Sequence, residues 1–249
     1  MVFLKSPDEV EKIYHASQIV AHTLEVLGTH VKPGASTKDL DRVAEEEIRK
    51  AGAVPAFKGY RGFPATLCVS VNEEIVHGIP SQRKLKEGDI VGLDLGAIWE
   101  GFYGDAARTF LVGGVPETAV QLVNVTEQSL KLAIEQCKPG NRIGDIGYAV
   151  QSHAERHGYS VVRDFVGHGI GRSLHEEPQV PNYGNRGQGP RLKPGLVIAI
   201  EPMVCAGKAD VEVLSDDWTA VTRDRSLSAH FEHSVAITEN GPWVLSELR

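Results

Sequence analysis

Apolar residues recur along this chain with two periods, and the switch between them marks out its elements. From Pro7 onward, Val10, Ile13, Val20, Leu24 and Leu27 fall on one face of a 3.6-residue helix. Ser6-Pro7-Asp8-Glu9 is a capping box with proline at the first helical position, and Gly28 is the expected stop. A second helix is predicted from Thr37, with Leu40, Val43, Ala44 and Ile48 inward. A third follows Pro116 and carries Val120, Val123, Leu130 and Ile134, and a fourth covers about Ile143 to His157. Short apolar runs bounded by glycine, proline and polar clusters predict strands around 66–71, 89–98, 101–112, 196–204, 211–213, 218–222 and 231–238. The Pro/Gly-rich stretch from Pro178 to Pro194 is expected to be a long loop.

The pattern is written twice. Leu85-Lys86-Glu87-Gly88 leads into an apolar run and Asp94, and Leu192-Lys193-Pro194-Gly195 leads into an apolar run and Glu201, both shifted by 107 positions. Lys32-Pro33-Gly34 returns as Lys138-Pro139-Gly140 with a shift of 106, as do Gly52 and Gly158. A duplicated module explains this. The expected fold class is α+β: one domain over residues 1–249, built from two similar halves of about 5–112 and 113–249. Helices cover one side of a mixed, mainly antiparallel sheet, and a pseudo-twofold axis relates the halves.

Each copy sets a carboxylate in a strand that is otherwise apolar. A lone buried carboxylate costs several kcal/mol unless something neutralises it. Asp105 follows Asp94 after a return through Gly101 and Gly104, which reads as an antiparallel hairpin with both carboxylates on one side. In the second half, Pro202 interrupts the ladder where Glu201 projects. Glu232 lies in a later strand, and His168 stands between Gly167 and Gly169. Four carboxylates and a neutral imidazole balance two divalent first-row ions almost completely, and such a pair can polarise a carbonyl and activate water. The GHGIG string has the wrong spacing for a dinucleotide loop.

Bulk properties narrow the alternatives. A net charge of −7 argues against a nucleic-acid partner, and no DNA binding is expected. Apolar runs fall short of the roughly 18 residues a membrane span needs, and Lys5 interrupts any signal-like start. The three cysteines Cys68, Cys137 and Cys205 lack CxxC spacing and read as reduced thiols of a cytoplasmic protein.

Taken in order, Asp94, Asp105, GHGIG with His168, IEPM with Glu201 and FEHS with Glu232 resemble the type I methionine aminopeptidases. The resemblance runs over essentially the whole chain. Glu201 follows His168 by only 33 positions, which leaves no room for the helical insertion of type II members. The resemblance is to the bacterial forms, in which no zinc-binding or linker extension is expected ahead of the first helix. The resemblance implies a pita-bread fold and a dinuclear site of cobalt, manganese, iron, nickel or zinc. In it Asp94 and Asp105 hold one ion, His168 and Glu201 complete the other, and Asp105 and Glu232 bridge. It further implies that His77 hydrogen-bonds the scissile amide and that His175 contacts the substrate carbonyl oxygen. Tyr60, Phe63, Cys68, His77, Leu174 and Trp218 are expected to line the methionine pocket. Phe57, Phe63 and Leu174 depart from the common bacterial cysteine, tyrosine and phenylalanine. A monovalent cation is expected near Asn72 and Ser228.

The implied activity is co-translational removal of the initiator methionine when the second residue is small. Metal-activated hydroxide would attack the first peptide bond, with Glu201 as general base. N-terminal methionyl peptides and nascent chains are the implied partners, with transient ribosome association by a monomer. Two rival readings differ in testable ways. A Xaa-Pro peptidase of the same fold usually carries a separate N-terminal domain, whereas here the first helix begins at Pro7. A non-enzymatic binding module of that fold usually loses ligands, whereas all five are present. His230 and His233 flank Glu232 and are given no role.

Overall fold

Helical periodicity becomes helix almost where expected. The computed structural model describes residues 2–248, and in it α1 spans Pro7–His30, α2 Thr37–Lys50, α3 Glu117–Ile134 and α4 Ile143–Arg156. The capping box at Ser6 closes: its Oγ accepts from the Glu9 N–H at 3.3 Å while Glu9 Oε2 accepts from the Ser6 N–H at 2.9 Å. α1 does not end at Gly28, however. It runs one more half-turn, and the Val31 N–H caps the carbonyls of Leu27 and Gly28. Gly28 instead permits close packing, because a Cβ there would lie 2.8 Å from the Phe110 ring. On α3, Leu122 takes the buried position and Val120 is only half-buried.

The main sheet has nine strands. Its path runs 54–55, 90–99, 102–111, 232–238, 197–200, 167–169 and 176–180, with 67–71 joined to 90–99 and 241–244 joined to 232–238. Every pairing among the described residues is antiparallel, where the sequence allowed for a mixed sheet. The helices precede the strands they cover and do not join two neighbouring strands, so no parallel crossover unit arises. One predicted strand is split, and a short strand that was not predicted precedes another. The run 196–204 becomes 197–200 and 203–205, broken at Glu201-Pro202 as the proline demands, and 228–230 separates from 232–238 at Phe231. The fragments 203–205 and 228–230 pair with each other and with 160–161 in a small second sheet. A third comprises 211–213, 220–222 and 74–76.

Strand alternation sorts the two faces. Val91, Leu93, Leu95 and Ala97 pack under Val20, Leu24 and Leu27 of α1 and Leu40, Ala44 and Ile48 of α2. Ile198 and Ile200 pack likewise with Leu122 and Leu130 of α3 and Ile146 and Val150 of α4. The intervening residues of these strands are left for the opposite face. Local bonding repeats along with the residues. Gly34 N–H bonds the Leu85 carbonyl at 2.8 Å and Leu85 N–H bonds that of Ala35 at 2.9 Å. Gly140 with Leu192, and Leu192 with Asn141, do the same at 3.2 and 2.8 Å.

Trp99 and Phe102 close a two-residue turn in which Glu100 (φ 46°) and Gly101 (φ 81°) both have positive φ, as a type I′ hairpin requires. Gly104 is not part of that turn. A Cβ on it would lie 2.4 Å from the Ser17 nitrogen and 2.6 Å from the Ala16 carbonyl carbon, so it marks where α1 crosses the strand backbone to backbone. Gly104→Ala is therefore expected to destabilise the fold by about 3 kcal/mol, the upper part of the overpacking range. Gly101→Asn, at a left-handed position open to solvent, should cost little. Urea unfolding of both variants checks this, and equal midpoints would contradict the crossing argument.

Candidate metal centre

The strand register gathers the carboxylates. Asp94 lies opposite Ala107, and Asp105 lies opposite Gly96. Residues facing across a ladder share a side of the sheet, as do residues two apart, so Asp94 and Asp105 project together. Glu232 sits opposite Ala107 from the other flank and Cys68 opposite Asp94, giving one row of Cys68, Asp94, Ala107 and Glu232. Ser234 and His168 both face Ala199, and Glu201 is two residues beyond it. Asp94, Asp105, His168, Glu201 and Glu232 all line one cavity of about 280 Å³. Gly96, Ala107 and Ala199 alternate with them, and these small residues leave the space that larger side chains would fill.

His168 Nε2 stands 3.9 Å from Asp105 Oδ2 and 3.7 Å from Glu201 Oε1. Its Nδ1 lies 2.9 Å from the Gly169 carbonyl, which only an N–H can satisfy, so Nε2 carries the lone pair facing the carboxylates. Burial lowers the His168 pKa to about 4, so the ring is neutral and able to ligate. Single ligand atoms of Asp105, His168 and Glu232 come within 4.8 Å of one another, and those of Glu201, His230 and Glu232 form a second such group that shares Glu232.

These groups lack partners of their own. Asp94 Oδ1, Asp105 Oδ1, Glu232 Oε1 and His230 Nε2 are buried with no hydrogen bond. Among the described residues no lysine or arginine pairs with any of the four carboxylates. Burial raises the Asp94 pKa to about 7. Burial, then the Glu232 and Asp94 charges, pushes Asp105 well above the carboxylate range. Glu201 and Glu232 are raised the same way, by burial and then by neighbouring carboxylates. Orphaned hard oxygens, a neutral imidazole and no protein cation make a donor set that fits divalent ions.

Above this floor the cavity is aromatic. His175 Nδ1 lies 2.8 Å from the Tyr60 hydroxyl, and its ring stacks on Tyr60 at 5.3 Å and sits 4.2 Å from His168. With Tyr60 donating, the His175 proton stays on Nε2. Burial, then the neighbouring His168 and Arg61, lowers the His175 pKa to about 3. His77, at φ 60°, meets Phe165 and Trp218 edge-on at 5.4 and 6.2 Å, and burial lowers its pKa. Phe63 meets Trp218 at 5.1 Å. Tyr60, Phe63, Cys68, His77, Leu174, His175 and Trp218 thus line the same cavity as the carboxylates. Burial, then the Asp94 charge, pushes the Cys68 thiol well up, so it stays a protonated wall residue.

Sequence reasoning did not single out Phe165 or Arg61, and it gave His230 no role. His230 Nε2 is 3.8 Å from Glu201 Oε2, and its pKa falls to about 3 through burial. Its spacing of two from Glu232 was the available signal. By the same alternation His233 turns away, with its Nδ1 2.8 Å from Ser246 Oγ. Phe57, Arg61 and Phe165 also line the cavity. Asn72 and Ser228 adjoin, the Ser228 N–H donating to the Asn72 carbonyl at 2.9 Å. The Asn72 side chain is engaged by Asp89 and the Ile90 N–H.

Comparison with known proteins agrees with this geometry. Methionine aminopeptidase of Clostridium acetobutylicum is 52% identical over 247 residues, covering 99% of each chain. Methionine aminopeptidase 1 of Bacillus subtilis is 51% identical over 248 residues, covering all of both. The crystal structure of methionine aminopeptidase from Thermotoga maritima superposes with a TM-score of 0.98 at 48% identity, over 99% of this chain and all of that one. Residues 11–239 match metallopeptidase family M24. A curled antiparallel sheet carrying clustered carboxylates, and close relatives along its whole length, make this chain a member of metallopeptidase family M24 with its pita-bread fold.

Proposed function

We propose that this protein removes the N-terminal methionine from peptides and nascent chains whose second residue is small. The observation that carries this reading is the set of orphaned carboxylates at the floor of an aromatic cavity, in a chain half identical to methionine aminopeptidases throughout. Asp94 and Asp105 would hold one divalent ion and His168 with Glu201 the other, Asp105 and Glu232 bridging. The two overlapping donor groups that share Glu232 support a pair of ions, and His230 adjoins the second group. Divalent ions held there would supply an activated water and polarise the scissile carbonyl.

The chain's own residues do the rest. Glu201 accepts the proton of the attacking water and returns it to the leaving amine. His175, its proton held on Nε2 by Tyr60, donates to the substrate carbonyl oxygen as negative charge develops there. His77 hydrogen-bonds the scissile amide and orients the peptide bond. Tyr60, Phe63, Cys68, Leu174 and Trp218 hold the methionine side chain, and Phe57 and Phe165 add to that wall. A flexible thioether tolerates such aromatic variation. No helix among the described residues is long and apolar enough to cross a membrane. Cytoplasmic nascent chains are the proposed substrates, met by a monomer in transient contact with the ribosome. A monovalent cation beside Asn72 and Ser228 belongs to the same reading. So does a single domain over 1–249 of two halves, 5–112 and 113–249, which the recurring cap and turn bonds support.

Glu201→Gln should keep the fold and lose turnover by about 100-fold or more, the scale of a lost general base. Near-normal rates on Met-Ala-Ser in metal-replete buffer would remove Glu201 from this role. On a Met-X-Ser series, rates should fall as X grows from Gly to Trp. An Ala-Pro peptide should be inert, and its preferential hydrolysis would favour a Xaa-Pro peptidase.

The raised carboxyls also predict a pH signature. In the metal-free fold they retain protons that the unfolded chain has lost above about pH 4. The metal-free fold therefore loses their contribution as pH rises from there through Asp94's value of about 7. Ligation needs the ionised form, so metal affinity changes in the opposite sense. The gain in melting temperature on adding Mn²⁺ should be larger at pH 8 than at pH 6 by calorimetry. An equal gain at both would speak against carboxylate ligation.

A further inference from the structure

We propose that Lys5, in the segment ahead of α1, is a positioning residue for His175, acting through a buried ion pair with Glu176; this role rests on the function proposed above. Lysine is almost never buried without a partner, yet Lys5 is 8% exposed. Its Nζ donates to Glu176 Oε2 at 2.6 Å and to the Phe3 carbonyl at 3.1 Å. The side chains of the pair are 4% and 10% exposed, and the Lys5 N–H is fixed to the Gly195 carbonyl at 2.7 Å.

The pair controls a short turn. Glu176 uses its second oxygen, Oε1, to accept the Ser173 N–H at 3.2 Å, closing Ser173–Glu176 around Leu174 and His175. One carboxylate therefore ties the turn to itself and to the segment ahead of α1. The lysine passes over Gly171, where a Cβ would lie 2.4 Å from Lys5 Cε and 2.9 Å from Glu176 Oε1, so glycine at that point makes the approach feasible. The Gly171 carbonyl accepts the Tyr103 N–H at 2.9 Å, which anchors the start of the turn to the hairpin that carries Asp105. A second pair nearby, Arg172 with Glu9 at 2.8 Å, has its arginine side chain 70% exposed and is screened by solvent. The Lys5 pair is the one shielded from water. Charges buried in this way add little net stability compared with apolar substitutes, but they hold direction. The direction held is that of the His175 ring, one peptide unit from Glu176, between the Tyr60 hydroxyl and His168.

The test is a double-mutant cycle with Met-Ala-Ser and saturating Mn²⁺, below the melting temperature of every variant. Lys5→Met should lower kcat by about 10- to 100-fold, the scale of a misplaced catalytic group, and leave KM nearly unchanged. In a His175→Ala background the same change should cost less than about twofold, because the residue it acts through is gone. If Lys5→Met melts too low, Glu176→Gln, which keeps an acceptor for Ser173, serves in the same cycle. Equal fold-losses in the two backgrounds, or a lower melting temperature with unaltered kcat, would overturn the proposal. A wild-type protein inactive on the peptide would overturn the function along with it, whereas an active wild type with equal losses overturns this role alone.

Discussion

Mutual repulsion among Asp94, Asp105, Glu201 and Glu232 is the constraint around which the rest of the molecule is arranged. Four carboxylates in one cavity, with no lysine or arginine paired to them, cannot all be ionised without a foreign cation. Desolvating each charge costs several kcal/mol, so the protein tolerates the cluster only by taking up protons or divalent ions. That makes acidity and metal occupancy two sides of one equilibrium.

The sheet meets this demand through its alternation. One face is mainly apolar and packs under α1, α2, α3 and α4. The other face is freed for charge, and antiparallel register brings the carboxylates and His168 from separate strands into adjacent rows. Equivalent strands of the two copies deliver Asp94 and Glu201. Small residues, Ala107 and Ala199, stand between the charged groups and provide room. Pro202 ends the ladder just after Glu201, so that carboxylate leaves the strand at a break where backbone pairing no longer constrains it.

Above the floor, the cavity wall draws on loops as well as strands. Tyr60 comes from a short turn and His175 from a loop between two strands, and their hydrogen bond decides which imidazole nitrogen keeps its proton. His77 and the protonated Cys68 thiol share a cause, since burial disfavours the charged form of each. Such a site can bind an uncharged side chain at one end and concentrate all its charge at the other.

The sequence by itself determined the helices, the duplicated strand entries and the five candidate ligands, because each rests on short-range periodicity or on a charge placed where a strand should be apolar. Capping at Ser6 and the break at Pro202 were legible for the same reason. Tertiary structure alone decided what Gly28 and Gly104 are for. Glycine reads as a stop or turn when only its neighbours in sequence are considered, whereas here it yields to Phe110 and to the α1 backbone from far along the chain. Likewise Phe165 and Arg61 reach the cavity through loop packing that no local pattern encodes, and Lys5 meets Glu176 across 171 positions. Local chemistry is written in neighbouring residues; which distant groups share a desolvated space is settled only when the sheet curls and its faces are covered.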